Sequence, residues 1–390
     1  MLHHLFPDDA RQRLVALRRE IHQHPELAFE ERETSRRLHD ALAALRPAAL
    51  DRVAGTGLVA RMAGRRRDAP VVAVRGDIDA LPITEETGLP YASERPGVMH
   101  ACGHDVHAAW AVGAAYLLSR EPAEGDVLVV LQPAEETGRG APAVLESGAL
   151  DGVAAIFGGH VDRRFPVGQV VAQPGPLAAS ADTFAITLTG KGAHAARPHE
   201  GADPIVGAGA LIAALQTIVS RRLDPTAPAV LTVGTIHAGT APNVIPETAA
   251  LSGTLRAVDT QTRVRLQAEV RRLAEEIARA YGLRAEVTLE LGPPPVVNPS
   301  GPAGWARRAA QRVLGDNAVV PLGLTNLAAE DFACYLERMP GCFLRIGARE
   351  AGGEAIAAHS PRFHVAEESI FVGAAVLAET ARVAAEELGG

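Results

Sequence analysis

Short apolar runs bounded by turn residues alternate with helical stretches along the first 180 residues of this chain. The apolar runs cover 57–62, 70–74, 127–131, 154–157 and 167–171. Helical patterns at 106–118 and 141–148 separate the later runs. Strands that alternate with helices indicate an α/β/α domain, in which helices cover a largely parallel sheet.

From residue 182 the order of elements changes. We predict strand 183–188, helix 204–219, strands 230–237 and 248–257, helix 260–280 and strand 284–289. This β-α-β-β-α-β order is that of a ferredoxin-like α+β domain, for which about 110 residues suffice. A proline run at 293–295 then indicates a stiff linker, after which the α/β pattern resumes. We therefore predict an α/β domain formed by 1–180 and 293–390, with 181–292 inserted into it.

Composition excludes several classes of protein. The 390 residues are 47% hydrophobic and 22% charged, which is typical of a globular protein and excludes disorder, collagen and coiled coil. A net charge of -8 does not suit a nucleic-acid or anionic-membrane partner. The longest apolar run, 204–219, falls short of the roughly 18 residues of a membrane span. With three cysteines and no signal-peptide pattern, we expect a soluble, cytoplasmic protein.

The octapeptide HACGHDVH at 100–107 concentrates metal-binding side chains just before a predicted helix. Cys102 and His104 are two positions apart, so in an extended segment both side chains point to one side and could bind one ion. The alternative is a buried cysteine beside surface histidines.

Two adjacent carboxylates, Glu135 and Glu136, follow the predicted strand 127–131. Open α/β sheets bind their ligands at the carboxyl ends of strands. Because neighbouring side chains diverge, one carboxylate could bind metal while the other faces substrate. The alternative is a pair of charges that opens a solvated loop, but His160 at a second predicted strand end and His359 later in the chain favour a site.

Five candidate ligands are more than one catalytic zinc ion needs, because such an ion usually takes three. The five candidates are Cys102, His104, Glu136, His160 and His359. Five ligands suit two ions about 3.5 to 4 Å apart, an arrangement used for metal-assisted hydrolysis. Glu135 is then placed as general base.

Two other interpretations come from different classes of protein. Cys102 activated by a nearby imidazole could be the nucleophile of a thiol hydrolase. That interpretation leaves Glu136, His160 and His359 without a role. The second alternative is a metal-binding protein without catalytic activity.

Seven sequence motifs occur in the order found in one enzyme family. They are RGDIDALP at 75–82, HACGHD at 100–105, QPAEE at 132–136, GKGAHAA at 190–196, NVIPE at 243–247, EDF at 330–332 and HSP at 359–361. In these motifs the chain resembles the amidohydrolase branch of the dinuclear metallopeptidases. That branch includes hippurate hydrolase, aminoacylase-like enzymes, N-acetyldiaminopimelate deacetylase and indoleacetyl-amino-acid hydrolase.

The resemblance implies an activity and a cofactor. It implies hydrolysis of an N-acyl amino acid or a similar small amide, with Glu135 as the acid and base. Two divalent ions, of zinc, manganese, cobalt or nickel, would be held by Cys102, His104, Glu136, His160 and His359. A dipeptidase, aminopeptidase or carboxypeptidase of the same fold is the alternative.

The resemblance also implies further residue roles and an oligomer. His194, in the inserted lid domain, would reach the partner subunit's site and stabilise the oxyanion, in a homodimer or tetramer formed through that domain. Asn243 and Arg256 would bind substrate; the alternatives are a turn cap for Asn243 and a surface ion pair for Arg256. The groups expected to orient the metal ligands are Asp77, Asp79, Asp105 and His107.

Overall fold

The computed structural model describes residues 2–325 and 327–389, which form two compact units. The first unit comprises the described residues of Met1–Gly175, Asn298–Leu324 and Asp331–Gly390. The second unit comprises those of Pro176–Val297 and Thr325–Glu330.

The elements are numbered in chain order. The helices are α1 (Asp8–Gln23), α2 (Arg32–Ala43), α3 (His104–Arg120), α4 (Gly140–Glu146), α5 (Pro204–Thr217), α6 (Thr260–Ala280), α7 (Ser300–Leu314), α8 (Ala333–Leu336) and α9 (Glu368–Gly389). The strands are β1 (Ala49–Val53), β2 (Gly57–Met62), β3 (Val71–Asp77), β4 (Val127–Gln132), β5 (Val153–Pro166), β6 (Val170–Val171), β7 (Gly175–Ala178), β8 (Asp182–Thr189), β9 (Ala193–His194), β10 (Ala229–Ala238), β11 (Val244–Ile245), β12 (Thr248–Ala257), β13 (Arg284–Leu291), β14 (Val296–Asn298) and β15 (Gly341–Arg349).

The first unit is built on a seven-stranded sheet in the order β1-β2-β4-β3-β5-β15-β6. The four central strands, β4, β3, β5 and β15, run parallel, whereas β1, β2 and β6 are antiparallel to their neighbours at the two edges. The short turn between β1 and β2 can join only antiparallel strands. The predicted α/β class is confirmed, and the parallel part of the sheet is its centre.

Two helices with little polar surface fill one side of this sheet. Almost all of α3 is buried, and α9 is buried along most of its length, so both are apolar around their circumference. A Cβ at Gly373 would overlap the ring of Trp110, so glycine at this position lets α9 approach α3 closely. The packing fixes the start of α3, at His104, against the central strands.

The strand β5 is longer than expected, and this changes the setting of His160. We predicted a strand that ends before His160, but β5 continues to Pro166. Its pairing with β3 stops at Gly158, opposite Arg75, whereas its pairing with β15 continues on the other side. His160 therefore lies inside β5, two residues beyond the last position at which β5 pairs with β3.

The second unit has the β-α-β-β-α-β order expected from the sequence, formed by β8, α5, β10, β12, α6 and β13. Its four strands are antiparallel in the order β10-β12-β8-β13. Their alternating buried side chains pack with both helices in a separate core that includes Phe184, Leu211, Leu251 and Leu266. The short pair β9 and β11 is an addition to this pattern.

One helix of the described residues is long and apolar enough to cross a membrane. A π-helical turn, Ile218–Arg222, extends α5, so that the whole helix has 19 residues, more than we expected. Ala208, Leu211 and Leu215 pack in the core of the second unit, which accounts for part of the apolar composition.

Candidate metal centre

The structure brings all five predicted metal ligands together in the first unit. Cys102 precedes α3 and His104 begins it, Glu136 lies in a 3₁₀ turn after β4, His160 lies in β5, and His359 lies between β15 and α9. They form two groups, Cys102/His104/His160 and Cys102/Glu136/His359, each with ligand atoms within 4.8 Å of one another. The Cys102 thiol belongs to both groups.

The hydrogen bonds of two histidines fix which ring nitrogen can bind a metal. His104 Nδ1 lies 3.0 Å from the carbonyl oxygen of Asp79, and His160 Nδ1 lies 2.7 Å from that of Val161. A carbonyl oxygen only accepts, so both Nδ1 atoms carry a proton, and in the neutral ring that binds a metal each Nε2 has a free lone pair. His160 Nε2 lies 3.1 Å from Cys102 Sγ.

Unpartnered buried atoms test whether these residues fit metal ions. Among the described residues, His104 Nε2 and Glu136 Oε1 are buried without a hydrogen-bond partner. His359 Nε2 lies 3.3 Å from the same Glu136 oxygen. Buried polar atoms without partners are costly, and a cation would satisfy both. A donor set of thiol, imidazole and carboxylate suits divalent transition metals, so the residues fit.

Asp77 and His107 support the ligands without being free to replace them. His107 Nδ1 donates to Asp77 at 2.6 Å, and its Nε2 accepts from the Val161 N–H at 3.0 Å. Both ring nitrogens are therefore in use. Burial alone would raise the pKa of Asp77, but Arg75, His104 and His107 hold that pKa well below its usual range. Burial would lower the pKa of His104, but Asp77 and other partners raise it well above the ordinary value.

The protonation of Cys102 bears on the thiol-hydrolase interpretation. Burial, with the Glu136 carboxylate nearby, raises the pKa of the Cys102 thiol to about 12. Burial and the nearby His107 and Arg345 lower the pKa of His160 well below its ordinary value. The 3.1 Å contact is therefore between a thiol and a neutral imidazole, not the thiolate and imidazolium of an activated nucleophile.

Glu135 is buried beside the ligands but bonded differently from Glu136. Its Oε2 lies 3.8 Å from His104 Nε2, and its Oε1 accepts from the Asp331 N–H at 3.3 Å. Ala134, just before it, has a left-handed backbone with φ of 54°. The two neighbouring carboxylates both lie near His104 Nε2, Glu135 at 3.8 Å and Glu136 at 3.9 Å, and they differ in their other contacts.

Two other carboxylates hold this turn by its backbone. Glu31 accepts from the Ala134 N–H at 3.0 Å and from the Thr56 hydroxyl at 2.5 Å. Asp79 accepts from the Glu136 N–H at 3.0 Å. Our sequence reasoning missed Glu31, because the run Glu-Glu-Arg-Glu at 30–33 looks like the charged start of an exposed helix.

Asp105 does not orient the predicted ligands through its carboxylate, contrary to our expectation. It accepts from His22 Nδ1 at 2.8 Å and lies 2.6 Å from Arg18 Nε, both on α1. Successive residues of a helix point about 100° apart, so Asp105 faces away from the side on which His104 lies. Its role in the structure is to tie α1 to the start of α3.

A buried polar network below the site was also missed. Arg75 Nε donates to Gln132 at 2.8 Å, Arg75 Nη2 donates to Asp331 at 2.9 Å, and Arg75 also pairs with Asp77. Gln132 Nε2 donates to Asp331 at 2.9 Å, and the Tyr335 hydroxyl donates to Gln132. The alternation of β3 could have indicated it, since Arg75 and Asp77 lie two residues apart on one face.

The three remaining predicted residues lie in the second unit. His194 in β9 is paired with Val244 in β11, and the Ala195 N–H donates to the carbonyl of Asn243 at 3.1 Å. His194 Nδ1 accepts from a backbone N–H at 3.1 Å, so the proton of its neutral ring is on the exposed Nε2. Arg256 lies on a different sheet, in β12. The structure therefore brings together His194 and Asn243 but places Arg256 on another element.

Comparisons with known proteins identify relatives along the whole chain. The model of a peptidase family, described as peptidase family M20/M25/M40, matches residues 73–383. Two proteins of Bacillus subtilis (strain 168), N-acetyl-L-cysteine deacetylase and N-acetylcysteine deacetylase, are 43% and 42% identical to the chain. The alignments cover 95% and 96% of this chain and 88% and 98% of those proteins.

A solved structure matches the fold closely. It is the Bacillus subtilis YXEP protein, described as a dinuclear metal binding peptidase from the M20 family. The TM-score is 0.86 at 38% identity, covering 97% of this chain and 99% of that one.

Proposed function

The chain belongs to peptidase family M20/M25/M40, and on that premise we propose that it is a metal-dependent amidohydrolase that cleaves N-acyl amino acids. The family resemblance expected from seven sequence motifs is confirmed by this membership. The observation that carries the proposal is the convergence of five side chains of metal-binding type, two of which have a buried atom without a hydrogen-bond partner, with Glu135 beside them.

We assign two divalent ions to the two groups of ligands that share Cys102. The similar Bacillus subtilis structure, described as dinuclear, supports this number. When bound, such ions would polarise the amide carbonyl and lower the pKa of water. Zinc, cobalt and nickel suit a thiolate better than manganese does, and all four remain candidates. A reducing cytoplasm, the location expected from the sequence, would keep the Cys102 thiol available.

Glu135 is the residue we assign to proton transfer. Its carboxylate is close to the ligand His104 and accepts from the Asp331 N–H. It would accept the proton of the attacking water and then donate a proton to the leaving amine.

Residues of the second unit would bind the substrate and stabilise the negative charge that develops on its carbonyl oxygen. The exposed Nε2–H of His194 is a donor suited to an oxyanion. We propose, from the family resemblance, that it serves the partner subunit's site. Arg256 is suited to a substrate carboxylate, and Asn243 to a polar group of the substrate.

We further propose that residues 181–292 form a lid and dimerisation domain inserted into the catalytic domain of 1–180 and 293–390. The edge strand β10 lacks a neighbour on one side of the described sheet, and α5 packs against β10. Large apolar side chains are exposed on both, namely Ile205, Val206 and Ile236, at 44%, 53% and 49%. An apolar face beside an unpaired strand edge suits a second copy of the chain.

A substrate panel with reconstituted metal tests the proposed activity. The protein is stripped of metal with a chelator, reloaded with Zn²⁺, Mn²⁺, Co²⁺ or Ni²⁺, and given N-acetyl amino acids, including N-acetylcysteine, and free dipeptides. We expect no turnover without metal, and turnover of N-acyl amino acids with at least one ion. Faster cleavage of free dipeptides would assign a peptidase instead. Activity that survives metal removal and is lost on alkylation of Cys102 would assign a thiol hydrolase.

A further inference from the structure

Arg163 is buried three residues after His160 in β5, and all five of its N–H groups have an acceptor. Its Nη1 and Nη2 donate to the two carboxylate oxygens of Glu350 at 2.7 and 3.0 Å. Nη1 also donates to the carbonyl of His364 at 2.7 Å. Nη2 and Nε both donate to the carbonyl of Glu354, at 2.6 and 3.1 Å. The side chain is 1% exposed, so these bonds are shielded from water.

All three acceptors belong to the segment that carries His359. Residues 350–367, between β15 and α9, contain no helix or strand. Arg163 binds this segment at 350 and 354, before His359, and at 364, after it. One guanidinium therefore joins β5, which carries His160, to both sides of the segment that carries the other histidine.

His359 needs such support. Its backbone φ is 66°, a conformation that a residue with a side chain adopts only when its surroundings hold it there. Its side chain is 52% exposed, and its N–H donates to the Ala101 carbonyl at 2.8 Å. The contacts of Arg163 are a buried, charged part of what fixes the segment, whereas the pair of Arg362 with Glu86 is exposed. The paired carboxylate of Glu350 makes the contacts of Arg163 stronger than neutral hydrogen bonds.

We propose that Arg163 is a positioning residue that fixes His359 for the metal ion of the Cys102/Glu136/His359 group. The inference rests on the proposed function, since it assumes that the site binds two ions. Groups that orient a metal ligand set the affinity of the site, because the ion then need not organise the ligand itself. The Cys102/His104/His160 group takes no ligand from 350–367, so its ion should depend little on Arg163.

The test compares metal binding in variants on both sides of the ion pair. Arg163→Met removes the five hydrogen bonds of the guanidinium. Glu350→Gln weakens the ion pair at a side chain that is 40% exposed and should tolerate the change. His359→Ala serves as reference for loss of the ligand. The matched control is Arg164→Met, which removes the neighbouring arginine, whose partners, Asp162 and the Leu324 carbonyl, lie outside residues 350–367. Two-step affinities for Co²⁺ are measured by chelator competition, and amide hydrogen exchange of 350–358 is measured without metal.

We expect Arg163→Met to lower the affinity for one of the two ions by about 10- to 100-fold and the affinity for the other by less than about threefold. Glu350→Gln should lower the affinity for the same ion by a smaller factor. The double variant should lose little more affinity than Arg163→Met alone, because both changes act on the same ion pair. Exchange at 350–358 should rise in both variants and stay unchanged in Arg164→Met.

Three results would overturn the inference. If both ions keep their affinity in both variants, Arg163 does not position His359. If the affinity for both ions falls equally, Arg163 supports the unit as a whole and has no specific role. If the wild-type chain binds fewer than two ions, the proposed function fails with the inference, and this failure is seen before any variant is measured.

Discussion

At the scale of single residues, the site depends on carboxylates that look alike in sequence but differ in their contacts. Glu136 has an unpartnered buried oxygen, Glu135 accepts from a backbone N–H, and Glu31 holds the turn that carries them both. The sequence predicted the first two from their place after a strand. It could not predict Glu31, whose function depends on a contact with residue 134 that no local pattern shows.

Replacing Glu31 tests the support of this turn. Glu31→Leu leaves the Ala134 N–H and the Thr56 hydroxyl without their buried acceptor, which should cost about 1 to 3 kcal/mol of unfolding free energy and lower kcat. Glu31→Gln keeps an acceptor and should cost much less. Urea unfolding of the metal-free protein and amide turnover measure both effects. Equal effects of the two substitutions would contradict the assignment.

The pair of Arg163 and Glu350 should give stability a specific pH dependence. The hydrogen bonds from Arg163 lower the pKa of Glu350 from an ordinary 4.5 to about 2. A lowered pKa stabilises the fold at pH values above 4.5, and this contribution is lost as the pH falls from 4.5 towards 2. The difference in unfolding free energy between wild type and Arg163→Met, without metal, should therefore shrink over this range. A difference that stays constant would show that the ion pair contributes nothing.

At the scale of elements, the site is positioned by the carboxyl ends of β3 and β4, the middle of β5 and the start of α3. The alternation of strands and helices predicted most of this arrangement, since open parallel sheets place functional residues at strand ends. It could not predict that β5 continues past His160, because that extension depends on pairing with β15, whose residues lie 185 positions later in the chain. Nor could it predict that Asp105 turns towards α1.

Gly76 tests the close approach of β3 to α3. A Cβ at this position would overlap the carbonyl oxygen of His107, so Gly76→Ala should push Asp77 away from His107. We expect a loss of about 1 to 3 kcal/mol of stability and weaker metal binding. Gly301→Ala, at an open position of α7, is the control and should be neutral or slightly stabilising. Thermal unfolding and metal titration of both variants check this, and unchanged metal binding in Gly76→Ala would contradict it.

At the scale of the whole molecule, the centre is assembled from segments spread over more than 250 residues. Sequence motifs indicated every assigned ligand because the ligands carry chemically distinctive side chains. The arginines that support them, Arg75 and Arg163, were not predicted, because an arginine in sequence is most often a surface charge. Their burial is decided by acids at 331 and 350 that only the fold brings near.

The proposed dimer can be tested on the exposed apolar face of the second unit. Ile205→Asp with Ile236→Lys should convert a wild-type dimer into a monomer and reduce turnover strongly, because His194 would no longer reach the partner subunit's site. Metal content should not change, since the assigned ligands lie in the first unit. Val264→Glu, at a side chain equally exposed on α6, is the control. Light scattering after gel filtration reports the mass, and a wild-type chain that is monomeric and fully active would contradict the proposal.

The most direct test of hydrolysis at a two-ion centre with Glu135 as acid and base is a paired measurement on Glu135→Ala. Metal content and kcat on an N-acetyl amino acid are determined for the same sample. We predict two ions per chain, as in the wild type, and a kcat lower by about 10²- to 10⁴-fold. Near-normal turnover with both ions bound would contradict the account.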